Sequence, residues 1–271
     1  MTRINILTYH RVGDFPQRMP SHRGQYCYVT RFESQMRMLS RAGYAVISLD
    51  EAAAGLRGET TLPPRPVVLT FDDGYVDFLE YAAPILERHG YPAVVYAVAG
   101  MLGETSQWVA PEGLTPAPLM TAAQLREVQS MGFTIGSHTL SHPRLASLKT
   151  QAVVEEVSIS KRILEDVLGT RVDHFCYPYG SHDIRAVEAA ADAGYVTGTT
   201  CLRAIATPED DLLSLPRKPV SQGNTSFGVL WKLLTKNTPR SAPIRRGKRP
   251  ETTLQDRRIG EHGMGPSSAG A

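Results

Sequence analysis

Pro66-Val67-Val68-Leu69-Thr70-Phe71-Asp72-Asp73-Gly74 is the stretch of this 271-residue chain that decides its architecture. The first six residues are apolar or β-branched with no polar alternation, the pattern of a parallel strand covered on both faces. The strand then runs into two carboxylates and a glycine. Parallel α/β folds gather ligands at that end of their strands, so Asp72 and Asp73 stand in a productive place. Outward from this segment, residues 4–9, 93–98, 133–136, 172–177 and 195–199 also read as strands. Helical patterns lie between them. One is stopped at Gly90, and one is opened by a Thr121/Gln124 capping box and ends near Gly132. A long amphipathic one, marked by Val153, Val157, Leu164 and Leu168, ends at Gly169. Further helices are expected over 183–193 and 227–234. Repeated strand–helix units predict an α/β fold with a parallel sheet or barrel.

The composition is that of a soluble enzyme, 42% hydrophobic and 21% charged. A chain of this size buries roughly 70–75% of its unfolded surface and needs no disulfide or structural metal to fold. Its 29 Lys and Arg against 27 Asp and Glu leave a formal +2, which argues against a nucleic-acid binder. The charge is unevenly spread. Eight Lys or Arg and three acids make residues 236–271 +5, so the preceding part carries −3. That segment is rich in Arg, Gly, Pro and Ser, which predicts a catalytic domain over 1–235 and a disordered basic tail over 236–271. Cys27, Cys176 and Cys201 are odd in number and lack metal-ligand spacing, so free thiols are expected. No signal-peptide core is read in residues 1–10, and the longest apolar run, 91–102, is interrupted by Pro92 and Gly100. The expectation is therefore a cytoplasmic protein without a transmembrane segment. Composition is silent on oligomeric state.

Three segments carry chemistry. The first is Asp72-Asp73-Gly74, the second Ser137-His138-Thr139-Leu140-Ser141-His142-Pro143, and the third Phe175-Cys176-Tyr177-Pro178-Tyr179-Gly180. Each alone has an ordinary structural reading: a solvated turn, two packing histidines, an aromatic corner. Together, Asp73, His138 and His142 offer a carboxylate and two imidazoles to one divalent ion, zinc first, with Co²⁺, Ni²⁺ or Fe²⁺ suited to the same donors. Asp72 is then left beside the ion to take a proton from water, the layout of a metal-assisted hydrolase.

These three segments, in this order, resemble the signature motifs of the polysaccharide deacetylases, carbohydrate esterase family four. The resemblance spans roughly residues 4–220, and Thr8-Tyr9-His10-Arg11-Val12 is similar to the first strand of members that act on poly-N-acetylglucosamine. It implies a distorted (β/α)₇ barrel with a metal at its C-terminal mouth. Asp72 is then the general base, Asp73, His138 and His142 the metal ligands, and the backbone N–H of Tyr179 an oxyanion donor. The implied partner is a carbohydrate, chitooligosaccharide or poly-N-acetylglucosamine.

Two departures from the family pattern bear on mechanism. Cys176 stands where members commonly have an arginine that orients the base. The C-terminal Leu-x-His segment that supplies the acid is missing. His10 is the first substitute for the acid and His182 the second, and Arg217 is the candidate for the missing positive charge. Each also has a structural reading, as a packing residue, a loop residue and an ion pair respectively. Trp108 is expected to stack on a sugar or to anchor its loop, and Tyr75 to touch substrate or begin a helix. Cys176 reads as buried and inert. The leading function is removal of N-acetyl groups from an N-acetylglucosamine-containing glycan. The alternatives are an amidohydrolase of the same fold on a non-carbohydrate amide, and a silent glycan- or metal-binding module.

Overall fold

The computed structural model describes residues 2–15, 23–239 and 242–246. Seven strands form a continuous parallel path: β10 (Lys218–Pro219), β1 (Asn5–Tyr9), β5 (Pro66–Phe71), β6 (Val94–Ala97), β7 (Thr134–Ser137), β8 (His174–Cys176) and β9 (Thr197–Thr199). Short β4 (Ala45–Val46) pairs with the start of β5, and β2 (Arg11–Gly13) pairs separately with β3 (Tyr26–Tyr28). The two ends of the path meet through one segment. Leu215 donates to Gly198 O and accepts from Thr200 N, while Lys218 lies in register with Leu7. The sheet is thus a curled, distorted barrel, with helices α1 (Val29–Arg41), α3 (Ala83–His89), α4 (Ala122–Ser130), α5 (Thr150–Leu168), α6 (Ile184–Asp192) and α7 (Ser226–Leu234) around it.

Alternation along the strands separates two apolar layers. Leu7, Leu69, Val95, Ile135 and Phe175 pack outward under the helices. Ile6, Val68, Val94, Tyr96 and Cys176 fill the interior with Leu49, Ala52 and Leu56 of α2 (Leu49–Arg57). Helix α2 therefore closes the barrel at the N-terminal ends of its strands, where Asp50 meets buried His174 at 3.3 Å. At that level Gly136 is required, because a Cβ there would sit 2.5 Å from the Tyr96 ring. Strand β1 is buried at all five positions, as the two-faced apolar pattern anticipates.

The expected elements are present, strand 66–71 with both ends as expected and the others with ends shifted by three residues at most. The 150–168 helix begins one turn before Val153 and ends on a left-handed Gly169. Of the segment expected as a tail, Ile244 packs against the outer layer and Arg246 makes a two-pronged pair with Asp211 (both 2.8 Å). Residues 247–271 lie outside the described residues. No helix among the described residues is long and apolar enough to cross a membrane.

Candidate active site

Each chemical segment leaves the C-terminal end of a strand: Asp72 and Asp73 after β5, His138 after β7, and Tyr177 to Gly180 after β8. Parallel pairing of these strands brings the segments to one mouth. The backbone there is unusual. Asp73 (φ 76°), Thr139 (69°), His142 (62°) and Tyr179 (58°) all adopt left-handed conformations, four of the six non-glycine residues that do so among the described residues. Each costs about 1–3 kcal/mol unless its surroundings enforce it. The enforcement is visible. Asp72 N donates to Tyr9 O (2.9 Å), His142 N to Thr139 Oγ1 (3.0 Å), and the Leu140 and Ser141 amides to one oxygen of Glu156 (2.9 Å each).

These loops converge Asp73, His138 and His142. Asp73 Oδ1 lies 3.3 Å from His138 Nε2 and 3.2 Å from His142 Nε2, with all three side chains buried. Burial would raise the Asp73 pKa, but hydrogen bonds to the two imidazoles overcome it and hold the group well below the usual carboxylate range. Burial lowers the His142 pKa against the opposing pull of Asp73.

Asp72 sits next to this triad with a different partner. Arg217 reaches it from just before β10, with Nη1 to Oδ1 at 2.6 Å and Nη2 to Oδ2 at 2.8 Å. The guanidinium also donates to Thr70 Oγ1 and Thr200 O (3.0 Å each) and lies 3.1 Å from Cys176 Sγ. The positive charge missing at 176 thus arrives from position 217, on the far side of the barrel's closing seam. Burial pushes the Asp72 pKa up, yet Arg217 outweighs it and the carboxyl stays lowered and ionised. The thiol of Cys176 is fully buried, 3.6 Å from Asp72 Oδ2.

The remaining candidates divide. His10 Nε2 lies 3.9 Å from Asp72 Oδ2 at the partly exposed rim, and its Nδ1 has no hydrogen-bond partner among the described residues. The Tyr179 ring packs on the edge of His142 at 4.7 Å with the Arg144 guanidinium 3.9 Å above it, and its amide takes no backbone acceptor among the described residues. Trp108 stacks on the His142 ring at 4.2 Å, so it both shields a triad member and borders the mouth. His182 is not brought to the site. Its Nδ1 pairs with Gly180 O, its Nε2 with Ser214 Oγ, and its ring stacks on Tyr177. Tyr75 is buried beside Ala117 and Leu119 under the Arg11 guanidinium, with its hydroxyl against Asp73 and Ser106, so it supports the triad from behind. Arg144 and Glu156 escaped the sequence reading, and Thr70, though inside the first motif, was read only as a strand residue. Their contacts span 15 to 147 residues, which no local spacing encodes.

The sequence profile of the polysaccharide deacetylases matches residues 59–198, half of the chain. The chain belongs to this family. It is accordingly a hydrolase of carbon–nitrogen bonds other than peptide bonds. A Bacillus subtilis protein provisionally named polysaccharide deacetylase YxkH is 27% identical over 230 residues, 84% of this chain and 75% of that one. The poly-β-1,6-N-acetyl-D-glucosamine N-deacetylase of Staphylococcus aureus MRSA252 is 23% identical over 201 residues, 71% of this chain and 67% of that one. Among solved structures, the Streptococcus pyogenes deacetylase PplD in complex with acetate superposes with a TM-score of 0.74 at 24% identity. It covers 86% of this chain and 98% of that one, a likeness that concerns the fold.

Deacetylases of this family use a divalent metal. The deacetylase's own atoms decide where one fits. Among the described residues, two triads bring ligand atoms within 4.8 Å of one another, Asp73/His138/His142 and Asp72/His138/Cys176. The second is excluded because both Asp72 oxygens are engaged by Arg217. In the first, His138 Nδ1 faces Cys176 O at 2.8 Å. A carbonyl only accepts, so Nδ1 carries a hydrogen, and Nε2, which faces Asp73 Oδ1, is the nitrogen that would ligate an ion on giving up its own proton, the outer-shell arrangement of a metal-binding histidine.

Proposed function

We propose that this deacetylase removes acetyl groups from N-acetylglucosamine units of an oligo- or polysaccharide, poly-β-1,6-linked chains ahead of chitooligosaccharides, and that residues 1–235 form its catalytic domain. The observation that carries this reading is Asp72, ionised and clamped by Arg217, beside the carboxylate–imidazole triad at the barrel mouth. The relatives named for poly-β-1,6-N-acetylglucosamine and the first-strand segment at 8–12 support the choice of linkage.

Asp73, His138 and His142 hold the divalent ion, zinc by preference. When bound, the ion lowers the pKa of a water and polarises the acetamide carbonyl. Asp72 accepts the proton that water loses on attack, and Arg217 keeps that carboxylate ionised and aimed. The Tyr179 N–H donates to the oxygen that becomes negative, a contribution of about 10²–10³ in rate for donors of this kind. His10 delivers a proton to the departing amine, so the products are acetate and a free amino sugar. The faces of Trp108 and Tyr179 border the sugar ring.

The test is acetate release from poly-β-1,6-N-acetylglucosamine oligomers and chitooligosaccharides, with chelated protein given back zinc, cobalt, nickel or iron(II). Release that depends on added metal and disappears in Asp72→Asn is expected. A folded, zinc-loaded protein that releases acetate from neither glycan refutes the reading.

A further inference from the structure

The three most exposed large apolar side chains among the described residues share one helix. Phe227, Trp231 and Leu234 of α7 are 73%, 56% and 61% exposed. Their spacing of four and three places them on a single face. The opposite face, Val229 and Leu233, is buried against the outer apolar layer. A nine-residue helix that is apolar toward both the core and the outside has one face without a partner among the described residues.

The charge around that face narrows its partner. One groove beside the start of α7 is lined by Arg37, Arg41 and Ser226. A second, at the end of α7, places Arg3 and Arg65 with Leu233 and Leu234. A third joins Arg203 and Lys236 just beyond. All six cations are exposed, and none of the described residues lining the three grooves is acidic. The chain then continues through a stretch in which residues 240–258 add Arg240, Arg245, Arg246, Lys248, Arg249, Arg257 and Arg258 against Glu251 and Asp256. Aromatic and aliphatic side chains ringed by arginine, followed by a polybasic segment, match an anionic lipid interface. Apolar groups enter the headgroup boundary there while cations pair with phosphates.

We propose that the α7 face is a docking surface for an anionic lipid bilayer. The orientation it gives is specific. Leu233 and Leu234 share their groove with Thr2, Arg3, Asn5 and Pro66, at the N-terminal ends of β1 and β5. Asp72 lies at the C-terminal end of β5, so a protein seated on α7 turns the catalytic mouth away from the lipid.

Flotation of the full chain with vesicles tests this. Vesicles of equal parts phosphatidylglycerol and phosphatidylcholine carry the protein up, and pure phosphatidylcholine does not. Raising salt to about 1 M, where the screening length falls to about 3 Å, releases it. Brominated lipids quench Trp231, and the Trp108 signal left in Trp231→Ser is not quenched. Phe227→Ser/Trp231→Ser/Leu234→Ser weakens binding at least about tenfold. Arg37→Glu/Arg41→Glu, on a different helix, weakens it about tenfold at low salt. Both variants keep wild-type acetate release from soluble oligomers. The proposal is overturned if anionic vesicles leave the wild type behind, or if the triple variant floats like wild type. It is also overturned if ending the chain after Arg246 alone abolishes flotation, which assigns binding to the basic segment. A wild-type dimer in solution that the triple variant dissolves, without vesicle binding, assigns the face to a second copy instead.

Discussion

Replacing Arg217 by methionine tests the centre of the proposed chemistry. The side chain is 1% exposed, and its guanidinium meets both Asp72 oxygens, Thr70 Oγ1, Thr200 O and Cys176 Sγ. Methionine fills similar length and supplies none of these donors, so Asp72 is left as a buried charge without a counter-ion. Breaking a buried pair in this way costs about 3–5 kcal/mol. For a body of this size each kcal/mol moves Tm by about 2–4 °C, so calorimetry should record a fall of about 6–20 °C. The burial that Arg217 now outweighs would push the Asp72 pKa up, and a neutral carboxyl accepts no proton. Acetate release by Arg217→Met should therefore fall about as far as in Asp72→Asn. The double variant decides the cause. If the penalty is an orphaned carboxylate, adding Asp72→Asn to Arg217→Met restores part of the lost stability, with a coupling of about 1–3 kcal/mol, and lowers activity no further. Additive Tm losses in the double variant, or a single variant within about 2 °C of wild type, would refute the reasoning.

Glu156→Gln, which weakens the clamp on the Leu140 and Ser141 amides, should lower zinc affinity about 10–100-fold in a titration of chelated protein. His10→Gln should leave Tm near wild type while kcat drops about 10²–10⁴-fold; unchanged kcat in the metal-loaded variant removes His10 from the mechanism. Burial pushes the Asp77 carboxyl up to about 6 in spite of Arg11 at 2.7 Å. Its folded pKa then exceeds the ordinary value near 4, so the folded chain keeps a proton that the unfolded one loses. That contribution is full below about pH 4 and is lost as pH rises through about 6, a change of up to about 3 kcal/mol. Asp77→Asn should flatten the Tm profile across that window.

The strands were legible because a parallel strand buried on both faces writes a continuous apolar run, as in 66–71 and 93–98. Helix α5 was legible from its 3.6-residue spacing and its terminal glycine. Helix α1 was missed because Tyr28 caps it without a side-chain hydrogen bond and a polar Gln35 occupies its buried face. Helix α2 did carry a signal, the Ser48/Glu51 capping box, but its partners lie in the barrel interior and only the closed sheet reveals them. At the site, Asp72, Asp73, His138 and His142 sit in short motifs, and local reading suffices. Arg217 was reached only by asking what could replace a missing charge. Its pairing with Asp72 depends on barrel closure across 145 residues. Thr70 and Glu156 act through contacts that no local pattern encodes.

Helix α2 across the lower end makes the barrel a vessel with a floor. Leu49, Ala52 and Leu56 meet Ile6, Val68, Val94 and Tyr96 there, and the interior between floor and mouth is solid with side chains. Among the described residues the mouth at the strand C-terminal ends is then the way to Asp72, and a glycan bound there would cover it. Water must arrive before the polymer lies down or slip beneath it, and acetate must leave past the unit it came from. Turnover would then follow how often a glycan lying across the mouth lifts or slides. A polymer gripped tightly along the rim would be deacetylated no faster than it lets go.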